Sequence, residues 1–217
     1  MGSATFDTFY ASQVQYLADE VSQQTAARDA GAALLDQIGP AILITHSKGG
    51  VIGWLWADAR PELVKAIVAI EPNGPPFRDV GLPTPPGRAR AWGVTDIPLS
   101  YNPAPEIDNN TGYPLFQTEY VDQVGNMNGS AVPCVMQIEP ALQLVNLKMP
   151  VLLETGEASF HAPIDHCTVL FLQQAGVNVT ELRLADEGIH GNGHMQFLER
   201  NSDEIVKCLE AWIREAV

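Results

Sequence analysis

Gly39-Pro40-Ala41-Ile42-Leu43-Ile44-Thr45-His46-Ser47-Lys48-Gly49-Gly50 reads as a buried strand, a sharp turn with Ser47 at its apex, and the first turn of a helix. Gly39 and Pro40 break whatever precedes them. The apolar run at 41–44 suits a central parallel strand covered on both faces. Gly49 and Gly50 leave room where the helix passes back close to the strand. Thr45 is the odd residue, because a β-branched side chain is a tight fit two positions before such a turn. Residues 51–59 continue as a helix, with Trp54 and Leu55 offering apolar surface. Ser47 then sits at a helix N-terminus, beside free N–H groups and the positive end of the dipole. The N–H of Lys48 is placed to donate to an oxyanion.

On the N-terminal side, residues 12–38 show helical spacing through Val14, Leu17, Val21, Ala26, Ala33, Leu34 and Ile38, with Ser12 as the expected cap. On the C-terminal side, residues 62–71 read as the next buried strand, ending at Glu71. The character changes over 72–148. Pro72, Pro75, Pro76, Pro83, Pro85, Pro86, Pro98, Pro103, Pro105 and Pro114 break regular structure there. Aromatic residues are scattered among them, and short helices are expected at 115–125 and 137–147. An insertion of this length between core strands is functional or structureless, and it reads as a cap over a site. The core pattern returns with a strand at 149–154, a helix at 163–175, a strand at 177–184 and an amphipathic helix at 195–212. Strands alternating with helices predict one α/β domain over 1–217, a parallel sheet with helices on both faces and the 72–148 cap inserted in it. Functional residues then belong at the carboxyl ends of the strands.

The chain has 217 residues, 46% hydrophobic and 18% charged, enough for one sizeable core. Its net charge of −14 argues against nucleic-acid partners and against attraction to anionic membranes. No stretch has the length and apolarity of a membrane span, and the first residues lack the basic and apolar regions of a signal peptide. Cys134, Cys167 and Cys208 have no metal-site spacing and leave at least one free thiol. Asn109, Asn128 and Asn178 stand in Asn-x-Ser/Thr sequences, which matter only in a secreted chain.

A serine hydroxyl is a weak nucleophile and needs a base, normally histidine, held by an acid. Two histidines lie late, in Gly188-Ile189-His190-Gly191-Asn192-Gly193-His194. His194, directly before the final helix, is the expected base, and His190 a surface or cap-contacting residue. His46 neighbours Ser47, but adjacent strand residues point to opposite faces, so it is read as a packing or oxyanion-side residue. His161 and His166 with Asp165 fit no zinc pattern, and no metal is expected. The acid has two candidate positions. One follows the strand after the insertion, at Glu154, Glu157 or Asp165. The other is Glu71, at the tip of a wholly apolar strand, where a buried carboxylate is costly unless paired.

These features resemble the serine-esterase branch of the α/β-hydrolases in which the acid is a glutamate after the strand that follows the nucleophile helix. Three stretches carry the resemblance: Ile44-Thr45-His46-Ser47-Lys48-Gly49-Gly50, Ala69-Ile70-Glu71-Pro72-Asn73-Gly74-Pro75-Pro76-Phe77, and Gly191-Asn192-Gly193-His194-Met195. Thr155-Gly156-Glu157-Ala158-Ser159, His161 and Asp165-His166-Cys167 match as well. The first stretch is the nucleophile elbow, G-x-S-x-G in its usual form. The resemblance implies a Ser47–His194–Glu71 triad that hydrolyses carboxylic esters through an acyl-enzyme, without a cofactor. The cap is expected to select the substrate, with its aromatics Phe77 and Trp92 as the expected substrate-binding residues. The family places further strands and an oxyanion loop before the elbow, whereas 46 residues precede Ser47 here. The chain is therefore expected to be the C-terminal part of the fold, weak or inactive alone, with 41–44 as an exposed sheet edge prone to self-association.

Overall fold

The computed structural model describes residues 3–15, 17–80, 87–122 and 131–217. Pro83, Pro85, Pro86 and Asn128 lie outside the described residues. Four strands form one wholly parallel sheet: Ala41–His46 (β1), Val64–Ile70 (β2), Val151–Thr155 (β3) and Val179–Arg183 (β4). Their order in space is their order in the chain, so β1 and β4 are the edges.

The period-2 alternation of the strands divides the core. Ile67 and Ala69 of β2, with Val151 and Leu153 of β3, face one cluster, which also holds Leu35, Trp54, Leu55, Phe171 and Leu172. Those partners come from the helices Glu20–Ile38 (α2), Lys48–Ala59 (α3) and Asp165–Gln174 (α4), numbered after Ala4–Ala11 (α1). Val68 and Leu152 face the other side, against Ile205 and Leu209 of the helix Ser202–Ala216 (α5). Helices thus cover both faces, as expected for an α/β sheet.

Four expected helices are corrected. Residues 12–38 are not one helix. Ser12 ends α1, and Asp19 caps α2 by accepting from the N–H of Ser22 at 2.7 Å. Val14 and Leu17, which completed the helical spacing, are exposed at 88% and 54% and bury no continuous helical face. The final helix begins at Ser202, not at 195, because residues 196–198 form a separate 3-10 turn. Residues 115–125 and 137–147 contain no described helix. They carry the short strands Thr118–Val121 and Gln143–Leu144, and with Cys134–Gln137 between them these join antiparallel ladders.

The inserted segment is tied to the core covalently. Cys134 in its ladder forms a disulfide with Cys167 of α4, leaving Cys208 as the free cysteine. Within the segment, Arg90, 3% exposed, ties neighbouring stretches together by donating to the carbonyls of Pro75 and Arg78 and to Asp79.

Candidate functional site

Strand β1 delivers Ser47 into a turn that few residues tolerate, with φ 54° and ψ −125°. Its N–H donates to the carbonyl of Ile70 at 3.0 Å, and its carbonyl accepts from the N–H of Asn73 at 2.9 Å. These bonds clamp the end of β1 to the end of β2 and hold a conformation that is costly for a residue with a Cβ. Thr45 fits for a specific reason. Its methyl lies over Gly53 of α3, where the Cβ of any other residue would stand only 2.9 Å from it. The helix thus supplies the space that glycine would otherwise supply on the strand.

Glu71, immediately after β2, has φ 43° and is fully buried. Its carboxylate is surrounded by donors rather than solvent. Oε1 accepts from the N–H of Gly156 at 2.9 Å, and Oε2 from the Ser159 hydroxyl at 2.6 Å. Oε2 also accepts from Nδ1–H of His194 at 2.5 Å. A Cβ on residue 156 would lie 2.7 Å from the carbonyl oxygen of Asn192, so only glycine brings that N–H so close. With Nδ1–H committed to a carboxylate, Nε2 of His194 carries the lone pair. The Ser47 hydroxyl donates to it at 3.0 Å. Ser47, His194 and Glu71 are therefore hydrogen-bonded in series, across 147 positions for the first pair and 123 for the second. Such an array can transfer a proton from hydroxyl to imidazole while the carboxylate balances the imidazolium.

The loop that carries His194 is braced from below. Gly193 donates its N–H to Glu199 at 3.0 Å, and the side chains of Asn192 and Asn201 exchange hydrogen bonds at 2.8 and 3.0 Å. The His194 ring is also walled in. His161 stacks on it with centroids 4.8 Å apart, and His46 and Phe160 approach at 4.4 and 4.7 Å. Nε2–H of His46 donates to the His194 carbonyl at 2.8 Å, which accounts for it as a packing residue. Burial holds the His46 pKa below its ordinary value. His190 stands apart, exposed and facing Glu157 at 3.2 Å.

Of the alternative acids, Glu157 is at the surface with His190. Asp165 accepts from Nδ1–H of His161 and from the Thr155 hydroxyl, both at 2.8 Å. Burial pushes its pKa up to about 6. Glu154, fully buried, is pushed up to about 8 by burial, with the charges of Glu71 and Asp165 adding to the shift. Sequence reasoning singled out neither Gly156 nor Ser159 as holding Glu71, nor His161 as a wall of the site. The available signal was a polar cluster directly after a buried strand, at its carboxyl end.

Phe77 packs against Phe116 and Phe171 with ring centroids 5.2 and 5.3 Å apart and lines a cleft in the inserted segment. Trp92 is half-buried against the core, and its carbonyl accepts from the Tyr101 hydroxyl at 2.8 Å. The Lys48 side chain reaches Glu20 at 2.7 Å. Among the described residues, two groups bring ligating atoms close enough for an ion. In Cys134, His166 and Cys167 the sulfurs are spent on the disulfide. In Glu71, His161 and His194 the carboxylate already accepts three hydrogen bonds.

No protein-family model matches the chain. It is 45% identical over 216 residues to a "Probable secreted lipase phiG" of a fungal species (strain ATCC 74256). The match covers 99% of this chain and 57% of that protein. Among solved structures, a novel bacterial esterase aligns with a TM-score of 0.46 at 17% identity, over 85% of this chain and 41% of that one. The monoacylglycerol lipase of Paleococcus ferrophilus aligns with a TM-score of 0.48 at 15% identity, over 89% and 76%. The chain is thus similar along nearly its whole length to a protein named a lipase, and spans little more than half of it.

Proposed function

We propose that the chain is a serine hydrolase that cleaves carboxylic esters, with Ser47 as nucleophile, His194 as general base and acid, and Glu71 as the orienting carboxylate. The series of hydrogen bonds from Ser47 through His194 to a fully buried Glu71 carries this reading. Similarity to a protein named a lipase agrees with it. Ser47 Oγ attacks the ester carbonyl carbon as its proton passes to Nε2 of His194. The tetrahedral intermediate collapses, the alkoxide takes that proton, and the acyl group stays on Ser47. Water then attacks the acyl-enzyme with His194 again accepting and returning the proton. The N–H of Lys48, at the start of α3, is assigned to the oxyanion, helped by the helix dipole. Removing one such donor lowers rates by roughly 100- to 1000-fold, so a site with a single donor would be a weak catalyst.

The inserted segment 72–148 is assigned as a cap, with Phe77 and Trp92 favouring apolar substrate groups. Its disulfide to α4 favours an oxidising compartment. The outer edge of β1 is assigned a role in self-association. It pairs on one side among the described strands, and its Ile44 is 61% exposed.

A fluorophosphonate probe tests the central assignment. The adduct is expected on Ser47, with no labelling of Ser47→Ala. An adduct elsewhere, or labelling that survives the substitution, removes the nucleophile. Light scattering tests the edge, where a clean monomer at high concentration would exclude self-association.

A further inference from the structure

The cleft lined by Phe77 has a volume of about 620 Å³ and lies wholly in the inserted segment, among Arg78, Asp79, Arg88, Phe116 and Tyr120. Its charge is the reverse of the protein's. The chain carries 26 acidic and 12 basic residues, yet two guanidiniums face this cleft without a carboxylate partner among the described residues. Arg78 donates to the carbonyl of Pro133 and lies 5.3 Å from the centre of the Tyr120 ring. Its Nε–H is buried with no acceptor. Arg88 lies 5.3 Å from the centre of the Tyr113 ring and is otherwise exposed. The carboxylate in the wall, Asp79, is matched by the buried Arg90 at 2.9 Å. An arginine fork held over an aromatic ring is preorganised for a planar anion.

The cleft also stands near the candidate active site in the chain. Four described non-glycine residues have positive φ: Ser47, Glu71, Phe77 and Arg90. The first two belong to the candidate active site, Phe77 lines the cleft, and Arg90 holds Asp79 in its wall. The chain between them is short. Asn73 is bonded to the Ser47 carbonyl, and five residues later Arg78 is in the cleft, at most about 18 Å away along an extended chain. Asp79 lines both this cleft and a smaller cavity bounded by Phe160 and His161, the residues that wall His194.

Resting on the esterase reading above, we propose that this cleft is a substrate subsite that receives a single terminal carboxylate. Half-esters of dicarboxylic acids, with an apolar stem between ester and carboxylate, are then the preferred substrate class. The stem lies along Phe77 and Phe116, and the carboxylate meets Arg88 and Arg78. Asp79 in the same wall favours one negative charge over two.

The test compares the mono-4-nitrophenyl ester of octanedioic acid with 4-nitrophenyl octanoate on the full chain. The ratio of kcat/KM values is expected to favour the anionic ester by about tenfold, the scale of one charge-assisted hydrogen bond. Arg88→Gln should remove most of that preference, and Arg88→Glu should invert it. Arg214→Gln, on the far helix, should leave the ratio alone. Calorimetry on Ser47→Ala forms a second arm, with monoethyl octanedioate expected to bind more tightly than ethyl octanoate and to lose that advantage with Arg88→Gln. Ester turnover with equal ratios in wild type and Arg88→Gln overturns the subsite and leaves the hydrolase. Absent turnover of both esters overturns the hydrolase, and the calorimetry then decides the subsite alone.

Discussion

The imidazoles of His161 and His194 lie face to face, with centroids 4.8 Å apart and planes within 4° of parallel. His161 cannot turn away, because its Nδ1–H is held by Asp165 and its backbone N–H by the Ser159 hydroxyl at 3.1 Å. That hydroxyl is the one that donates to Glu71. One turn after β3 therefore fixes both the ring of His194 and the carboxylate behind it.

His161→Ala should leave the His194 ring unsupported on that face. The expected loss is about tenfold in kcat with little change in KM, since misplacing a reacting group affects the chemical step. His161→Phe restores the flat surface and should recover most of the rate. Steady-state kinetics on a short-chain activated ester separates the cases. Equal losses for both substitutions would assign the effect to the His161–Asp165 bond instead of the stack.

Glu71→Gln should preserve the fold while lowering ester turnover by about 10⁴-fold, because an amide presents the wrong donor pattern to Nδ1–H. Ser159→Ala removes one of three donors to the same carboxylate and should cost far less, roughly tenfold. A mild Glu71→Gln variant would mean that another group balances the imidazolium.

Gly53→Ala should destabilise the fold by about 1–3 kcal/mol, since the new methyl meets the Thr45 methyl at 2.9 Å and the core is close-packed. Thr45→Gly in the same chain should give back most of the loss, a non-additivity that urea denaturation of the four variants can read. Additive effects would show that Thr45 does not depend on Gly53 for space.

The part of the site that was legible in the sequence is the part written locally. An apolar run, a serine and two glycines announce strand, turn and helix whatever lies around them. Glu71 was legible as an anomaly, a carboxylate at the tip of a strand with no polar neighbour. The short strands inside the inserted segment were not legible, because ladders of two to four residues are too short for a period to emerge. Val14 and Leu17 have helical spacing too, yet both stay largely exposed. The bracing of Glu71 by Gly156 and Ser159 joins residues 85 and 88 positions away, and no spacing rule encodes it.

The Cys134–Cys167 bridge closes a loop with a sequence separation of 33 residues between the inserted segment and α4. By chain entropy it should contribute about 3–4 kcal/mol. Replacing both cysteines with serine should lower the urea midpoint accordingly, and a reducing agent should do the same to the wild type alone. An unchanged midpoint would mean that the segment is held by its noncovalent contacts.

Glu154 should make the protein less stable as pH rises. Its side chain is fully buried between β3 and the His194 loop, where it accepts from the Gln196 amide. Glu154 Oε1 and Gln196 Oε1 are both buried without a partner. A protonated Glu154 resolves both, because its O–H can donate to the amide oxygen and complete an acid–amide pair. Burial, with the nearby charges of Glu71 and Asp165, pushes its pKa from 4.5 to about 8. Between those values the folded protein keeps a proton that the unfolded chain has released. The stabilisation is therefore full below about pH 4.5 and is lost as pH rises through about 8. Glu154→Gln carries the neutral form permanently and can make the same paired contacts. Its melting temperature should match the wild type near pH 5 and exceed it by several degrees near pH 9. Parallel melting curves across that range would show that Glu154 is ionised in the folded protein, with a donor to its Oε1 that this geometry does not contain.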